Sequence, residues 1–428
     1  MFFFPAVLLG KSISKLTKLL KIGGGSAAPG LYALKIEPEL VNKLSQQIPK
    51  NIVITGTNGK TTTAKMLAHF AKAAGLKVIR NHTGSNLERG IASTLIDGVN
   101  LSHPWGRLNR HLGIWELDEA AFNSVAPKLK PNIIVFLNVF RDQLDRYGEI
   151  DTVVKNWCQT LQKLDPKTAV LVNGDDANVL KLAGCFKGKI QKIGVKGYKI
   201  RGESAQKLKE KESLDFEARN VKLNGLRGSQ LSLIINHKSL IINLPLPGLY
   251  HVYDFLASFA LGINLGLDSK KMLSSLKNYS PAFGRVEELP FGCIFLIKNP
   301  TGATQVFETI APNIKPEDRL LFALNDNIAD GKDISWIWDA EFEKLQPTTY
   351  NLQTICSGTR VYDLAVRLKY AGVDPKSIIV VPDLNKALKE ARTGLKGRLF
   401  ILPTYTAMLE LQSILVKTGI KKHYWKEE

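Results

Sequence analysis

Cysteine is scarce and scattered. The four in 428 residues stand at Cys158, Cys185, Cys293 and Cys356, and no two form a C-x-x-C pair, which argues against a structural zinc built on the usual ligand spacing. Thiols so isolated fit buried side chains in a reducing compartment, and the expected localisation is cytoplasmic. Long apolar runs are also missing: no stretch approaches the roughly 20 residues of a membrane-spanning helix. The first residues, Met-Phe-Phe-Phe-Pro-Ala-Val-Leu-Leu, precede the lysines at Lys11, Lys15, Lys18 and Lys21, the reverse of a secretory signal, and no small-residue cleavage site follows. There is no internal repeat and no low-complexity segment. Acids are in short supply. Thirty-nine Asp and Glu face 58 Lys and Arg, a net charge of +19. Such an imbalance points to an anionic partner (nucleic acid, an anionic membrane surface or a phosphorylated substrate) or to solvated lysine-rich faces. No RNA-binding motif accompanies the charge, so nucleic acid is not an expected partner.

What is present is a chain long enough for two or three domains, with 44% hydrophobic residues. Its organising stretch is Ile52 to Leu67, IVITGTNGKTTTAKML. A β-branched run, Ile52–Ile54, reads as a buried strand. Gly56-Thr57-Asn58-Gly59-Lys60-Thr61-Thr62 follows, and then good helix formers. Strand, glycine-containing turn and helix is the context of a phosphate loop. Glycines let the backbone curl so that N–H groups point inward, and the helix N-terminus adds its dipole. Lys60 can then reach the β- and γ-phosphates of ATP, and the Thr61 hydroxyl can ligate Mg²⁺. The spacing departs from G-x-x-x-x-G-K-[ST], since Ile54 stands where the first glycine would be. The competing reading is a tight turn before an ordinary helix.

Apolar runs alternate with helical stretches from residue 50 to residue 285, at 77–80, 113–117, 133–138 and 169–173 among others. This predicts a largely parallel sheet with helices on both faces. Residues 196–245 carry short alternating stretches that predict inserted antiparallel strands, and 249–266 reads as an alanine- and leucine-rich helix. A second α/β unit runs from about 286 to 428, with strands expected at 293–297, 320–324, 378–381 and 399–402. Before all this, residues 1–49 hold a basic amphipathic helix over the lysine-bearing second half of the first 22 residues, then a glycine-rich loop. That helix either binds a membrane surface or docks on the ATP-binding unit, the second being favoured. Trp115-Glu116-Leu117-Asp118-Glu119 follows a strand-like run, and a carboxylate at a strand end beside a phosphate loop is placed to hold Mg²⁺. The alternative is that the acids cap the next helix.

G-T-N-G-K-T-T-T resembles the ATP loop of the Mur ligases and folylpolyglutamate synthases, which phosphorylate a carboxylate with ATP and let an amine displace the phosphate. By that resemblance Thr57, Asn58, Gly59, Lys60, Thr61 and Thr62 form the ATP loop, and Thr61 and Glu116 hold Mg²⁺. Arg141-Asp-Gln-Leu-Asp-Arg-Tyr-Gly148 has Gln143 where other Mur ligases carry histidine. Asn173-Gly174-Asp175-Asp176 matches a turn of the superfamily. Lys155 is the nearest lysine for a carbamylated Mg²⁺ ligand, but its spacing from Asp145 does not match. At 247–254 the superfamily carries two asparagines, one of which reads adenine; here His251 and Asp254 stand there, with His251 the expected nucleotide contact. Ala282-Phe-Gly-Arg-Val-Glu287 resembles a hinge whose arginine, Arg285, reaches the ATP phosphates.

Lys298-Asn-Pro-Thr-Gly302, Asn325-Asp-Asn327, Ala329-Asp-Gly-Lys-Asp333, Ser335-Trp-Ile-Trp-Asp339 and Thr404-Tyr-Thr-Ala-Met-Leu409 resemble the C-terminal domain of one branch, the MurT family, and the resemblance runs over nearly the whole chain. It implies a Mur ligase-type P-loop ATPase middle domain at 50–285 with a small antiparallel β insertion, followed by a Rossmann-like C-terminal domain at 286–428. It also implies amidation of the α-carboxylate of D-glutamate in lipid II or a similar undecaprenyl-linked muropeptide. No cysteine here sits in a nucleophile context, so ammonia would come from a GatD-type glutaminase partner. To that partner this chain would lend an aspartate, Asp339 in preference to Asp333. One departure is that 196–245 lacks the four-cysteine zinc ribbon of many family members, so no zinc is expected. The rivals are an amino-acid-adding Mur or folylpolyglutamate ligase, which has no reason to carry the Asp-Ile-Ser-Trp-Ile-Trp-Asp block, and a nucleotide-switched binding protein without carboxylate-dependent turnover.

Overall fold

A computed structural model describes residues 3–19, 27–81, 86–101, 107–108, 110–140, 150–197, 213–236, 238–280, 285–345 and 352–421. The chain opens with three helices, α1 (Phe4–Leu19), α2 (Ala28–Ile36) and α3 (Leu40–Ser45). The run Ile52–Ile54 lies in β1 (Lys50–Thr55), which leads into α4 (Lys60–Ala73). Next come β2 (Val78–Arg80), α5 (Glu88–Gly98), a two-stranded ribbon of β3 (Val99–Asn100) and β4 (Arg107–Leu108), then β5 (Leu112–Leu117), α6 (Glu119–Leu129) and β6 (Ile133–Phe136). They are followed by α7 (Ile150–Leu161), β7 (Ala169–Asn173), α8 (Ala177–Leu180) and β8 (Ile190–Val195). Three more strands, β9 (Phe216–Leu223), β10 (Ser229–Ile235) and β11 (Lys238–Leu244), precede α9 (Leu249–Asn264) and α10 (Ser269–Ser275).

The strands from β1 to β11, apart from the ribbon, make one nine-stranded sheet in the order β11-β10-β9-β8-β7-β6-β1-β5-β2. All neighbours from β2 to β9 are parallel, and only the last two pairings are antiparallel. The expected insertion is therefore not a separate layer. It extends the main sheet, because β9 adds to the edge of β8 in parallel and satisfies that strand's outer backbone groups. Side chains alternate between two cores: Ile52 and Ile54 face α4 and α9, while Val53 packs with Phe122 and Phe136 on the opposite side.

The C-terminal unit holds β12 (Arg285–Leu289), β13 (Gly292–Phe295), α11 (Pro300–Ile310), β14 (Arg319–Ala323), α12 (Trp336–Asp339), β15 (Thr354–Ser357), α13 (Val361–Tyr370), β16 (Ile378–Val380), α14 (Leu384–Arg392), β17 (Leu399–Pro403) and α15 (Tyr405–Lys417). Its sheet runs β12-β13-β17-β14-β15-β16 and is parallel except at the β12 edge. β15 reads Thr-Ile-Cys-Ser, a stretch with polar residues at both ends rather than an apolar run, so the sequence does not announce it.

Two expectations change. Helix α1 begins at Phe4, within the apolar start, and lies against α2 and α5, with Ala6 and Val7 buried and the Ser14 hydroxyl donating to Asp97 at 2.9 Å. Cys158 and Cys185, expected to be isolated thiols, are joined in a disulfide. Helix α7 packs against the turn after α8 and brings together residues 27 apart in sequence, a closeness no local spacing reveals. Cys293 and Cys356 are buried free thiols, and burial pushes them up to about 11 and about 12. Among the described residues no helix is long and apolar enough to cross a membrane.

Candidate active site

The turn between β1 and α4 is held open as a cradle. Gly56 and Gly59 have φ of +137° and +89°, values a side chain rarely adopts, and a Cβ on Gly59 would lie 2.2 Å from the Asp254 carboxylate. The end of β6 clamps the loop from the other side. Asn138 accepts the Asn58 N–H at 2.8 Å and donates to the Asn58 carbonyl at 3.0 Å, while its own carbonyl takes the Thr57 N–H at 3.0 Å. Thr57 and Thr62 are buried, so what Thr62 can offer a ligand at the start of α4 is its backbone N–H, where helical N–H groups lack intrahelical partners. The Lys60 ammonium folds back over the loop onto the carbonyls of Gly56 and Thr57, 3.8 Å from Glu119.

Strand register supplies the next group. β5 runs beside β1 with Ile54 opposite Glu116, so the carboxylate meets the loop at its start. The Thr61 hydroxyl donates to Glu116 at 2.8 Å, and Arg80 stands 4.0 Å away. Asn81, just past β2, exchanges two hydrogen bonds of 2.9 Å with the backbone of Glu116 and fixes that strand end. Arg80 and Asn81 escaped the sequence reading, since the only signal is their position at the end of a short edge strand. Burial lifts Glu116 to about 7, against the opposing bond from Thr61 and the charges of Arg80 and Lys60. A hydroxyl and a buried carboxylate are hard oxygen donors that fit Mg²⁺. Among the described residues no three His, Cys, Asp or Glu side chains gather around a metal, so phosphate and water oxygens would complete the shell.

A cation at Glu116 requires the carboxylate, which is half protonated near pH 7. Mg²⁺ affinity, measured by calorimetry with a non-hydrolysable ATP analogue, is therefore expected to weaken about tenfold per unit as pH falls below 7, and Glu116→Gln should flatten that slope. Without metal the sign for stability is opposite. The raised carboxyl binds a proton in the native state that the unfolded chain has released. Folding is thus favoured below about pH 4.5 and loses about 3 kcal/mol as pH rises through 7.

A cavity open to solvent separates this loop from the C-terminal unit. Tyr250, Tyr253 and Asp254 of α9 line one wall and Gly302, Gln305 and Val306 of α11 the other. Tyr253 donates to Asp175 at 2.7 Å, and Asp176 caps α8 while accepting the Val139 N–H at 2.9 Å, so the Asn173–Asp176 turn braces the cavity floor. Burial raises both aspartates and drives the Tyr253 phenol well above its usual range. His251, expected to read adenine, does not line this cavity. It is fully buried with Nδ1 2.7 Å from the Pro247 carbonyl, because one residue along a helix turns it about 100° from the face of Tyr250, Tyr253 and Asp254. Across the gap the amides of Asn58 and Asn299 exchange two hydrogen bonds of 3.2 and 3.0 Å, and Lys298 donates to the Thr57 carbonyl at 3.4 Å. The Asp142, Gln143 and Asp145 segment and the Arg285 side chain lie outside the described residues.

Asp333 and Asp339 are not part of this cluster. Both are exposed on the C-terminal unit around α12, with Asp333 accepting the Ser335 N–H at 2.8 Å. Buried Arg367 pins the backbone on either side of Asp339. It donates to the carbonyls of Ile337 at 2.9 Å and Ala340 at 2.8 Å and pairs with Glu343. Trp338, half exposed, lies edge-on to Tyr370, and Tyr362 and Tyr370 on α13 are 69% and 73% exposed. The Glu341 N–H reaches Thr304 of α11 at 3.1 Å, so the helix that walls the cavity also supports this face.

A strand-loop-helix phosphate cradle in a parallel sheet, backed by a second α/β unit across a cavity, defines the Mur ligase class. Residues 54–262 match the family model of the Mur ligase middle domain, and residues 296–408 match that of the MurT ligase C-terminal domain. The chain is 30% identical over 435 residues to the lipid II isoglutaminyl synthase (glutamine-hydrolyzing) subunit MurT of Streptococcus pneumoniae, covering 94% of this chain and 95% of that one. With the same subunit of Staphylococcus aureus it shares 30% identity over 415 residues, covering 90% and 91%. The fold is shared with MurF of Acinetobacter baumannii (TM-score 0.70, 16% identity, 92% of this chain and 81% of that one). It is also shared with Mycobacterium tuberculosis folylpolyglutamate synthase, solved with ADP and AMPPCP (TM-score 0.64, 15% identity, 93% and 99%). The chain belongs to the MurT family.

Proposed function

We propose that this chain is the ATP-dependent synthetase subunit of a glutamine-hydrolysing lipid II isoglutaminyl synthase, and that it amidates the α-carboxylate of D-glutamate in a lipid-linked muropeptide. The observation that carries the reading is the near full-length likeness to MurT subunits in a chain that keeps the Lys60, Thr61 and Glu116 cluster. The substrate carboxylate attacks the γ-phosphorus, ADP leaves, and ammonia then attacks the acyl carbon and expels phosphate, losing a proton. Lys60 and the first N–H groups of α4 stabilise the transferring phosphoryl group. Thr61 and Glu116 hold Mg²⁺, which when bound neutralises phosphate charge. Tyr250, Tyr253 and Asp254 receive the base, and α11 shuts water out from the other side. Residues 50–285 and 286–428 act as the two halves of this site.

Ammonia comes from a glutaminase of the GatD type docked on α12 and α13. Its histidine needs a carboxylate to fix its tautomer, and Asp339 sits among the exposed aromatics that suit a protein interface. Tyr370→Glu is expected to weaken that complex about tenfold or more by surface plasmon resonance, while lone-chain ATP binding stays normal. The function is tested by reconstituting the two chains with lipid II, ATP, Mg²⁺ and glutamine and following the muropeptide by mass spectrometry. Conversion of one carboxylate to its amide is expected. Appearance of an added amino acid would favour the amino-acid-adding rival, and an unmodified muropeptide with no ATP turnover would overturn the assignment. The site of action is the inner face of the plasma membrane, where such a substrate is held.

A further inference from the structure

We infer that the N-terminal helical pair is a membrane-surface anchor, with its outer face laid on an anionic phospholipid bilayer. This rests on the lipid-linked substrate proposed above. The inner side of the pair is fully engaged. A Cβ on Gly10 would lie 2.7 Å from Ile96, and one on Gly30 would lie 1.9 Å from the Arg89 carbonyl, so both helices sit close on α5. The Gly30 N–H donates to the Ser93 hydroxyl at 2.8 Å.

The outer side is the unusual part. At 100° per residue, positions 8, 9, 12, 15, 16 and 19 of α1 share one face, and four of them are leucines. Leu8 and Leu9 are exposed, Leu16 is 54% exposed and Leu19 78%. Neighbouring α2 adds exposed Leu31, Tyr32 and Ile36. These seven are among the 18 large apolar side chains exposed in the described residues. Crowding so many into 33 positions makes a patch rather than scattered surface. Charge accompanies it. The chain has no acid before Glu37, while Lys11, Lys15, Lys18, Lys21 and Lys35 all precede it. Lys15 and Lys35 are exposed, and Lys35 stands 5.4 Å over the Tyr32 ring. Asp97 of α5 meets α1 at Ser14, but both helices themselves carry only basic charge among their exposed apolar groups, which matches a surface that offers acyl chains beneath anionic headgroups. A protein partner would have to supply separate acidic and apolar groups in register.

The full chain is tested by co-sedimentation with vesicles of phosphatidylglycerol and phosphatidylcholine, and with phosphatidylcholine alone, in the absence of lipid II. The wild type is expected to pellet with the anionic vesicles and to be released by salt. Lys15→Glu with Lys35→Glu, and separately Leu16→Ser with Leu19→Ser, should each lower vesicle affinity roughly tenfold or more. Because these side chains are exposed, both variants should melt like the wild type and keep normal amidation of a soluble muropeptide. A wild type that stays in the supernatant, or variants that bind vesicles as it does, would overturn the anchor while leaving the amidation assignment standing. A dimer in sedimentation velocity that the leucine variant dissolves would overturn it too, by giving the face to a second copy. Loss of soluble-substrate amidation in the wild type would instead count against the functional reading.

Discussion

Lys60→Ala should lower ATP-dependent amidation by about 10³-fold while the protein still folds. One preorganised donor at a site of developing charge contributes on the order of 10²–10³ in rate, and Lys60 brings a full positive charge to a loop whose other donors are uncharged. The structural cost is modest. The ammonium is held by the carbonyls of Gly56 and Thr57 and stands 3.8 Å from Glu119, contacts that orient the side chain without forming part of the apolar core. Removing it leaves buried Glu119 without that cation, so a loss of about 1 kcal/mol in stability is expected. ADP release in the reconstituted complex and a thermal melt measure the two effects separately. Lys60→Arg should recover little, because a planar fork does not fit the point-charge position of an ammonium. Near-normal amidation by Lys60→Ala would remove the ATP-loop assignment altogether.

The strand, turn and helix of this loop were legible because local chemistry dictates them. Ile52–Ile54 can only be buried strand, and a glycine with φ of +89° is needed where the chain reverses into α4. The strands at 113–117, 169–173 and 399–402 were legible for the same reason, as mostly apolar runs, with Glu116 and Asn173 as the polar residues at their ends. Features set by the meeting of distant segments were not. The partnership of Asn81 with Glu116 depends on β2 lying beside β5, and the pairing of Asn58 with Asn299 on two units closing across a cavity. At α9 it is helical phase that decides which side chains meet the cavity. The motif comparison pointed to His251, yet the turn of the helix presents Tyr250, Tyr253 and Asp254 instead. The cysteines show the same limit, since the 27 residues between Cys158 and Cys185 fold back only through tertiary packing.

Asp339→Asn is expected to leave ATP hydrolysis and complex formation nearly intact but to cut glutamine hydrolysis in the complex by about 10³–10⁴-fold, the order lost when an amide replaces the carboxylate that orients a catalytic histidine. We favour Asp339 over Asp333 for the way its backbone is held. Asp333 has one carboxylate oxygen engaged by the Ser335 N–H at 2.8 Å, a local turn bond. Asp339 is carried on α12 between two carbonyls that Arg367 holds at 2.9 and 2.8 Å, so its backbone position is set before any partner arrives. Arg367 is itself fixed, buried with its guanidinium 5.5 Å from the Trp338 ring and 5.0 Å from that of Phe342. A carboxylate presented this rigidly beside exposed aromatics can complete a triad at little cost in ordering. Free ammonia should restore part of the amidation by Asp339→Asn, because the Lys60, Thr61 and Glu116 cluster lies on the other unit and is untouched. Asp333→Asn should hydrolyse glutamine nearly as the wild type does. If both variants hydrolyse it at the wild-type rate, the carboxylate is not lent by this chain; if ammonia fails to rescue Asp339→Asn, its defect lies in the synthetase site and the division of labour is wrong.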